Sequence, residues 1–219
     1  MSLTIPALSR EYPGNDSFRL TTSEIQLDPT GFTCIIGKNG SGKSSFAETL
    51  AQVDQEPPWF YLPQFMDRFL FAENLLEQLE TFFSESIERE RLQELLIELG
   101  FTDPDHMLSF PFILMSGGER RRIALVSMFY LKHHKIILDE PEIGITPKEK
   151  VVLLTKIRNL KAIDTRVILI SHNEAFVKES TSLICMKDGT LDRVGKTEAL
   201  LNEPDFDLSV YGVRSQTEE

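Results

Sequence analysis

Eight consecutive residues, Gly37-Lys38-Asn39-Gly40-Ser41-Gly42-Lys43-Ser44, constrain this chain more tightly than any other stretch. Their glycines let the backbone curl into a nest whose N–H groups point inward at an anion. A short run rich in β-branched residues precedes them at residues 32–36, and a helical pattern comes after them at residues 44–53. The start of that helix adds its dipole to the nest, so the same anion is held from two directions. Lys43 is then placed to reach the outer phosphates of a polyphosphate, and the Ser44 hydroxyl to ligate a divalent cation. Gly37, Asn39, Gly40, Ser41, Gly42, Lys43, Ser44 and Ser45 are the candidate phosphate contacts.

The rest of the chain supplies a sheet for such a loop. Residues 1–36 read as strands, with rough alternation over 18–27, and the prolines within 54–58 end the helix at 44–53. After Ser116, helical patterns at 117–132, 148–161 and 173–179 alternate with apolar strands at 136–138 and 166–170. Asp188-Gly189 between runs 183–187 and 191–194 signals a hairpin. Residues 65–115 differ in character. Eight of the 15 phenylalanines fall between Phe65 and Phe112. Leu75, Leu76, Leu79, Phe82 and Phe83 lie at helical spacing, as do Leu92, Leu95, Leu96 and Leu99 before the stop at Gly100. The expected fold is α/β. It has a phosphate-loop core of mostly parallel sheet with helices on both faces (residues 1–64 and 116–219), antiparallel strands at the N-terminus, and a small helical subdomain inserted at 65–115.

A net charge of −11 argues against general binding to nucleic acid or to anionic membrane surface, and no nucleic-acid partner is expected. The densest basic run, Arg120-Arg121-Arg122, reads as the solvated face of a helix start. Cys34 and Cys185 sit in apolar runs without metal-ligand spacing and read as buried free thiols of a reducing compartment. No apolar run approaches the roughly 18 residues of a membrane span, and residues 1–10 lack the apolar stretch of a secretory leader. Work at a membrane would therefore go through other subunits.

Two further motifs bear on chemistry. Ile136-Ile137-Leu138 delivers Asp139 and Glu140 to the carboxyl edge of a sheet, Asp139 beside a metal ion and Glu140 beside an attacking water as general base. Ser116 with Glu119 three residues on forms a capping box. A capped helix start containing Gly117 and Gly118 is also an anion site.

With the phosphate loop and the Ile-Leu-Asp-Glu-Pro strand, Ser116-Gly117-Gly118-Glu119 resembles the signature motif of the ATP-binding-cassette (ABC) family, and the resemblance runs from about residue 3 to residue 202. It implies ATP and Mg2+ as ligands, with the metal at Ser44, Gln64 and Asp139. It also implies catalytic roles for Glu140, for Gln64 (which senses metal and attacking water), and for His172, which touches the terminal phosphate. Tyr12 resembles the aromatic that stacks on adenine, with Phe18 also in range. His106, His133 and His134 match no motif. In this family the signature of one cassette closes over the phosphate loop of another. Hydrolysis is thus expected only in a dimer, in which Ser116, Gly117, Gly118 and Glu119 serve the partner's nucleotide.

Four roles are open to a member of the family: a transporter ATPase, a soluble ATPase of the DNA-repair type, a translation-associated protein, and a binding-only cassette. Residues 183–189 and 195–201 resemble the ending common in transporter ATPases, no long coiled coil separates phosphate loop and signature, and one cassette is present. The expected role is the ATPase subunit of a transporter, an importer, docked on transmembrane subunits at the inner face of the cell membrane. The run from Ser116 to Ala124 resembles the energy-coupling-factor type. Phe65, Phe69 and Phe71 either receive a helix of a membrane subunit or pack inside the helical subdomain; on the first reading a charge at Phe69 abolishes assembly. Two departures matter. Ile143-Gly144-Ile145-Thr146 replaces the usual Ser-Ala-Leu-Asp of the loop that couples the two sites, which keeps open a binding-only cassette in a heterodimer. The short span from Lys43 to Gln64 implies a trimmed antiparallel region.

Overall fold

The structure is a computed structural model and describes residues 3–12, 18–28, 31–65, 69–82, 86–160 and 165–214. Phe83, Lys161 and residues 1–2, on which some expectations fall, lie outside the described residues. The chain divides into two compact units: Met1–Tyr61 with His134–Glu140 and Ile157–Glu219, and Leu62–His133 with Pro141–Lys156.

The first unit is organised by a strand with no solvent face. β5 (Phe32–Ile36) is buried at all five positions, as befits the middle of a parallel sheet covered on both sides. It pairs in parallel with β8 (Arg166–Ile170) and β9 (Ser182–Lys187), and β8 pairs in parallel with β7 (Lys135–Asp139). β10 (Thr190–Lys196) closes the hairpin on β9 and lies at one edge, where its burial alternates; β6 (Phe60–Leu62) lies beside β7 at the other. The N-terminal strands form two antiparallel pairs: β1 (Leu3–Ile5) with β4 (Ile25–Leu27), and β2 (Leu8–Glu11) with β3 (Arg19–Thr22). The single alternating run expected over 18–27 is thus two strands that pair with different partners.

Alternate residues of β5 feed two cores. Ile35 joins Ile137, Ile168, Ile170 and Ile184 beneath Phe46 and Leu50 of α1 (Lys43–Ala51). Cys34 and Ile36 face the other layer, with Val177 of α7 (Glu174–Glu179) and Leu200 of α8 (Thr197–Leu201). Both cysteines are free and buried.

The second unit is helical: α2 (Leu75–Phe82), α3 (Arg89–Glu98), α4 (Pro104–Ser109), α5 (Gly117–Leu131) and most of α6 (Pro147–Leu160). This unit takes in residues beyond 65–115. α5 packs against α3 and α2 and groups with them rather than with the α/β core. The physical reason is its burial, which is continuous from Ile123 to Tyr130. A helix apolar all round needs neighbours on every side.

The three arginines are not a solvated face. Arg121 is buried and donates to the Gln64 carbonyl at 2.6 Å. Arg122 lies over the Phe101 ring and pairs with the mostly buried Glu149 at 2.7 Å, and Arg120 donates to the Met115 carbonyl. Guanidinium stems pack while their forks satisfy carbonyls and a carboxylate. Phe69 is buried, whereas Phe65 and Phe71 are exposed. A charge at Phe69 would report on folding and not on assembly.

Ile168 lies at the centre of the sheet with no exposed surface. Ile168→Ala is expected to lower unfolding free energy by about 2–5 kcal/mol, read as a lower urea midpoint at unchanged slope.

Candidate functional site

The site in the first unit is set by strand register. Ile35 pairs with Ile170, and Ile170 pairs with Asp139. Three neighbouring parallel strands therefore end on one line, and their C-terminal turns are delivered to the same edge: residues 37–44, Glu140, and Ser171-His172. Two backbone bonds stitch the turns, from Glu140 N–H to the Ile170 carbonyl at 2.9 Å and from Ser171 N–H to the Ile35 carbonyl at 3.4 Å. Glu140 has φ 48°, a left-handed turn directly after Asp139.

The loop is tight at its first glycine. A Cβ on Gly37 would stand 2.4 Å from Ser41 Oγ and 2.5 Å from the Met186 carbonyl oxygen; Gly42, before α1, has φ 101°. The hairpin braces the loop, since Gly189 N–H donates to the Ser41 carbonyl at 2.9 Å. Lys43 is mostly buried and its ammonium donates to the carbonyls of Gly37 (2.6 Å) and Lys38 (3.1 Å). Burial lowers its pKa, with Glu140 and Asp139 opposing. Asn39 and Gly40 are exposed at the rim, and Ser45 is half-buried in the first turn of α1.

Asp139 is buried. Burial raises its carboxyl above the usual range, opposed by the Ser44 and Tyr61 hydroxyls and by Lys43. Tyr61 donates to Oδ2 at 3.0 Å, while Oδ1 is buried without a hydrogen-bond partner. Ser44 beside a carboxylate with an unused buried oxygen is a hard-oxygen donor set that fits Mg2+. His172 Nε2 stands 3.3 Å from Glu140 Oε1, both side chains mostly buried. Tyr12 packs against Phe18 with ring centroids 5.6 Å apart, beneath the Arg10 guanidinium.

One predicted group is therefore assembled within this unit: Gly37, Asn39, Gly40, Ser41, Gly42, Lys43, Ser44, Ser45, Asp139, Glu140 and His172, with Tyr12 in the same unit. Gln64, Ser116, Gly117, Gly118 and Glu119 belong to the second unit. There the capping box is complete: Glu119 N–H donates to Ser116 Oγ at 3.3 Å and Ser116 N–H to Glu119 Oε2 at 2.8 Å. The Ser116 bonds hold the Glu119 carboxyl below its usual range. Gly118 packs on the loop at 143–146, where a Cβ would stand 2.9 Å from the Gly144 carbonyl oxygen. Thr146, in place of an acid, caps α6: Thr146 N–H donates to Glu149 Oε2 at 2.7 Å and Glu149 N–H to Thr146 Oγ1 at 3.3 Å.

Tyr61 was not foreseen. Its signal in the sequence is an aromatic with a polar tip in the strand leading to Gln64, and only the pairing of that strand beside β7 gives it meaning. Tyr61→Phe removes a hydroxyl that orients Asp139. Divalent-cation affinity in the presence of ADP, measured by Mn2+ electron paramagnetic resonance, is expected to weaken about tenfold; unchanged affinity would contradict the role.

The chain is similar to known proteins in sequence and in fold. A family model described as ABC transporter matches residues 59–142. An energy-coupling factor transporter ATP-binding protein of Staphylococcus epidermidis (strain ATCC 35984) is 31% identical over 211 residues, covering 82% of this chain and 73% of that one. The nisin transport ATP-binding protein of Lactococcus lactis subsp. lactis is 25% identical over 235 residues, covering 93% of this chain; the chain spans 39% of that protein's length. Among solved structures, an ATP-binding subunit of an ABC transporter superposes with a TM-score of 0.75 at 20% identity, over 100% of this chain and 97% of that one. A dimeric cassette in a post-hydrolysis state, bound to ADP and phosphate, superposes with a TM-score of 0.69 at 16% identity, over 90% of this chain and 98% of that one.

Proposed function

This chain belongs to the ATP-binding-cassette family, and on that premise we propose that it is the ATP-hydrolysing subunit that powers a membrane transporter, of the importing kind, through closure with a second cassette. The observation that carries the reading is the meeting at one sheet edge of the loop at 37–44, the Asp139-Glu140 pair and His172, with Glu140 and His172 3.3 Å apart.

The residues divide the work. The nest at 37–44 and the α1 N-terminus bind the phosphates, and Lys43 exchanges the Gly37 and Lys38 carbonyls for phosphate oxygens. Ser44 and Asp139 would hold Mg2+, which would supply charge neutralisation on the outer phosphate oxygens. Glu140 accepts a proton from water as the water attacks the terminal phosphorus, and ADP departs. His172 holds the terminal phosphate beside Glu140. Tyr12 stacks on adenine. Ser116, Gly117, Gly118 and Glu119 donate helix-start N–H groups to the nucleotide of the partner cassette.

Relatives named as transport ATP-binding proteins support the transporter role. Among the described residues no helix is long and apolar enough to cross a membrane, so attachment at the inner face runs through transmembrane subunits. Of Phe65, Phe69 and Phe71, the exposed Phe65 and Phe71 are the ones open to meet them. A binding-only cassette is the second reading. The loop at 143–146 favours it, because Thr146 spends its polar groups on the α6 cap.

Glu140→Gln separates the two readings. Hydrolysis is expected to fall by about 10²–10⁴ while ATP binding persists, measured as phosphate release and by equilibrium dialysis. No phosphate release by the wild-type chain in any assembly would establish the binding-only reading.

A further inference from the structure

The segment from Asp207 to Arg214 carries none of the motifs, yet it is firmly anchored. Asp207 caps a 3-10 turn at Leu208–Tyr211, accepting from Ser209 N–H at 2.8 Å. Tyr211 and Val213 are buried beside Cys34, Ile36, Val177 and Leu183, and Phe206 stacks on Tyr211 at 5.6 Å between centroids. The segment then runs alongside the start of α7. Arg214 N–H donates to the His172 carbonyl at 2.8 Å, Glu174 N–H donates to the Arg214 carbonyl at 3.2 Å, and Asn173 and Arg214 form a parallel bridge.

Between these anchors Gly212 turns with φ 75° and presents its carbonyl to the His172 ring, 2.9 Å from Nδ1. A Cβ there would stand 3.5 Å from His172 Nδ1 and 3.6 Å from Lys38 Cα. The turn therefore lies against both the histidine and the phosphate loop. A carbonyl oxygen only accepts, so the ring nitrogen facing it must carry the proton. Nε2, the other ring nitrogen, is the atom facing Glu140.

We propose that the segment from Asp207 to Arg214 is a positioning strap for His172: the Gly212 carbonyl accepts from Nδ1–H and so aims Nε2 at Glu140. Gly212 touches neither water nor phosphate; it acts through the histidine. The proposal rests on the reading of His172 as the residue that meets the terminal phosphate. The strap gives that residue a fixed pose without help from nucleotide, and it ties the phosphate loop, the histidine and the second core into one piece.

The test is a multiple-bond 1H–15N spectrum of the full chain labelled at histidine. With four histidines in the sequence, His172→Gln assigns the signal by its loss. The expected result is a His172 ring that carries a proton on Nδ1 in the wild-type chain. Gly212→Val, strained at this φ, is expected to break the Nδ1–H bond to the carbonyl, read as a shift of the Nδ1 resonance, and to lower kcat about tenfold or more with ADP affinity unchanged. Gly212→Asn, which tolerates positive φ, restores both. A wild-type ring with no proton on Nδ1 overturns the proposal, as does Gly212→Val with wild-type spectrum and kcat. Should Gly212→Val fail to fold, the wild-type spectrum alone decides. An Nδ1–H ring in a chain that binds ATP and never hydrolyses it upholds the strap and removes the hydrolytic reading.

Discussion

The parallel pairing of β7, β8 and β5 is the constraint on which the rest depends. Because Asp139, Ile170 and Ile35 lie on one register line, three turns end together. A slip of one residue would turn every side chain to the opposite face and send Asp139 away from Ser44. The register is held by burial on both faces: Ile35 and Ile168 belong to one core, Cys34 and Ile36 to the other. The same apolar walls raise the carboxyl of Asp139 and lower the ammonium of Lys43, so on the proposed reading a metal ion and phosphate would be met by groups that water solvates poorly.

Much of this was legible in the chain itself. The loop at 37–44, the Ser116–Glu119 capping box, the Asp188-Gly189 hairpin and the strand at 166–170 each carry a local rule, and each stands where that rule places it. What escaped depends on contacts far apart in sequence. Tyr61 acquires a role only because β6 lies beside β7, 78 residues away. The strap escaped because a backbone carbonyl carries no side-chain signature. The arginines at 120–122 look solvated by composition, yet their partners are a carbonyl at Gln64 and a carboxylate at Glu149. α5 is polar at its start and buried continuously only from Ile123 to Tyr130, so a window at its first turn sees only the polar part.

The departure at 143–146 acquires a structural meaning. Thr146 and Glu149 cap α6 reciprocally, Glu149 reaches back to Arg122 of α5, and the Gly144 carbonyl sits close against Gly118. Despite its burial, Glu149 is held below the usual carboxylate range by these bonds. The loop thus supports the helix start that bears the signature, a mechanical task that needs no free acid.

The central claim is that the chain holds two halves of different sites, the phosphate loop of one and the signature of another. Steady-state ATP hydrolysis per chain, measured across a range of chain concentrations with and without the partner cassette, tests it most directly. The account predicts a specific rate that rises with the concentration of paired cassettes and levels off once pairing is complete. A specific rate that stays constant down to concentrations at which sedimentation shows only monomer would contradict it.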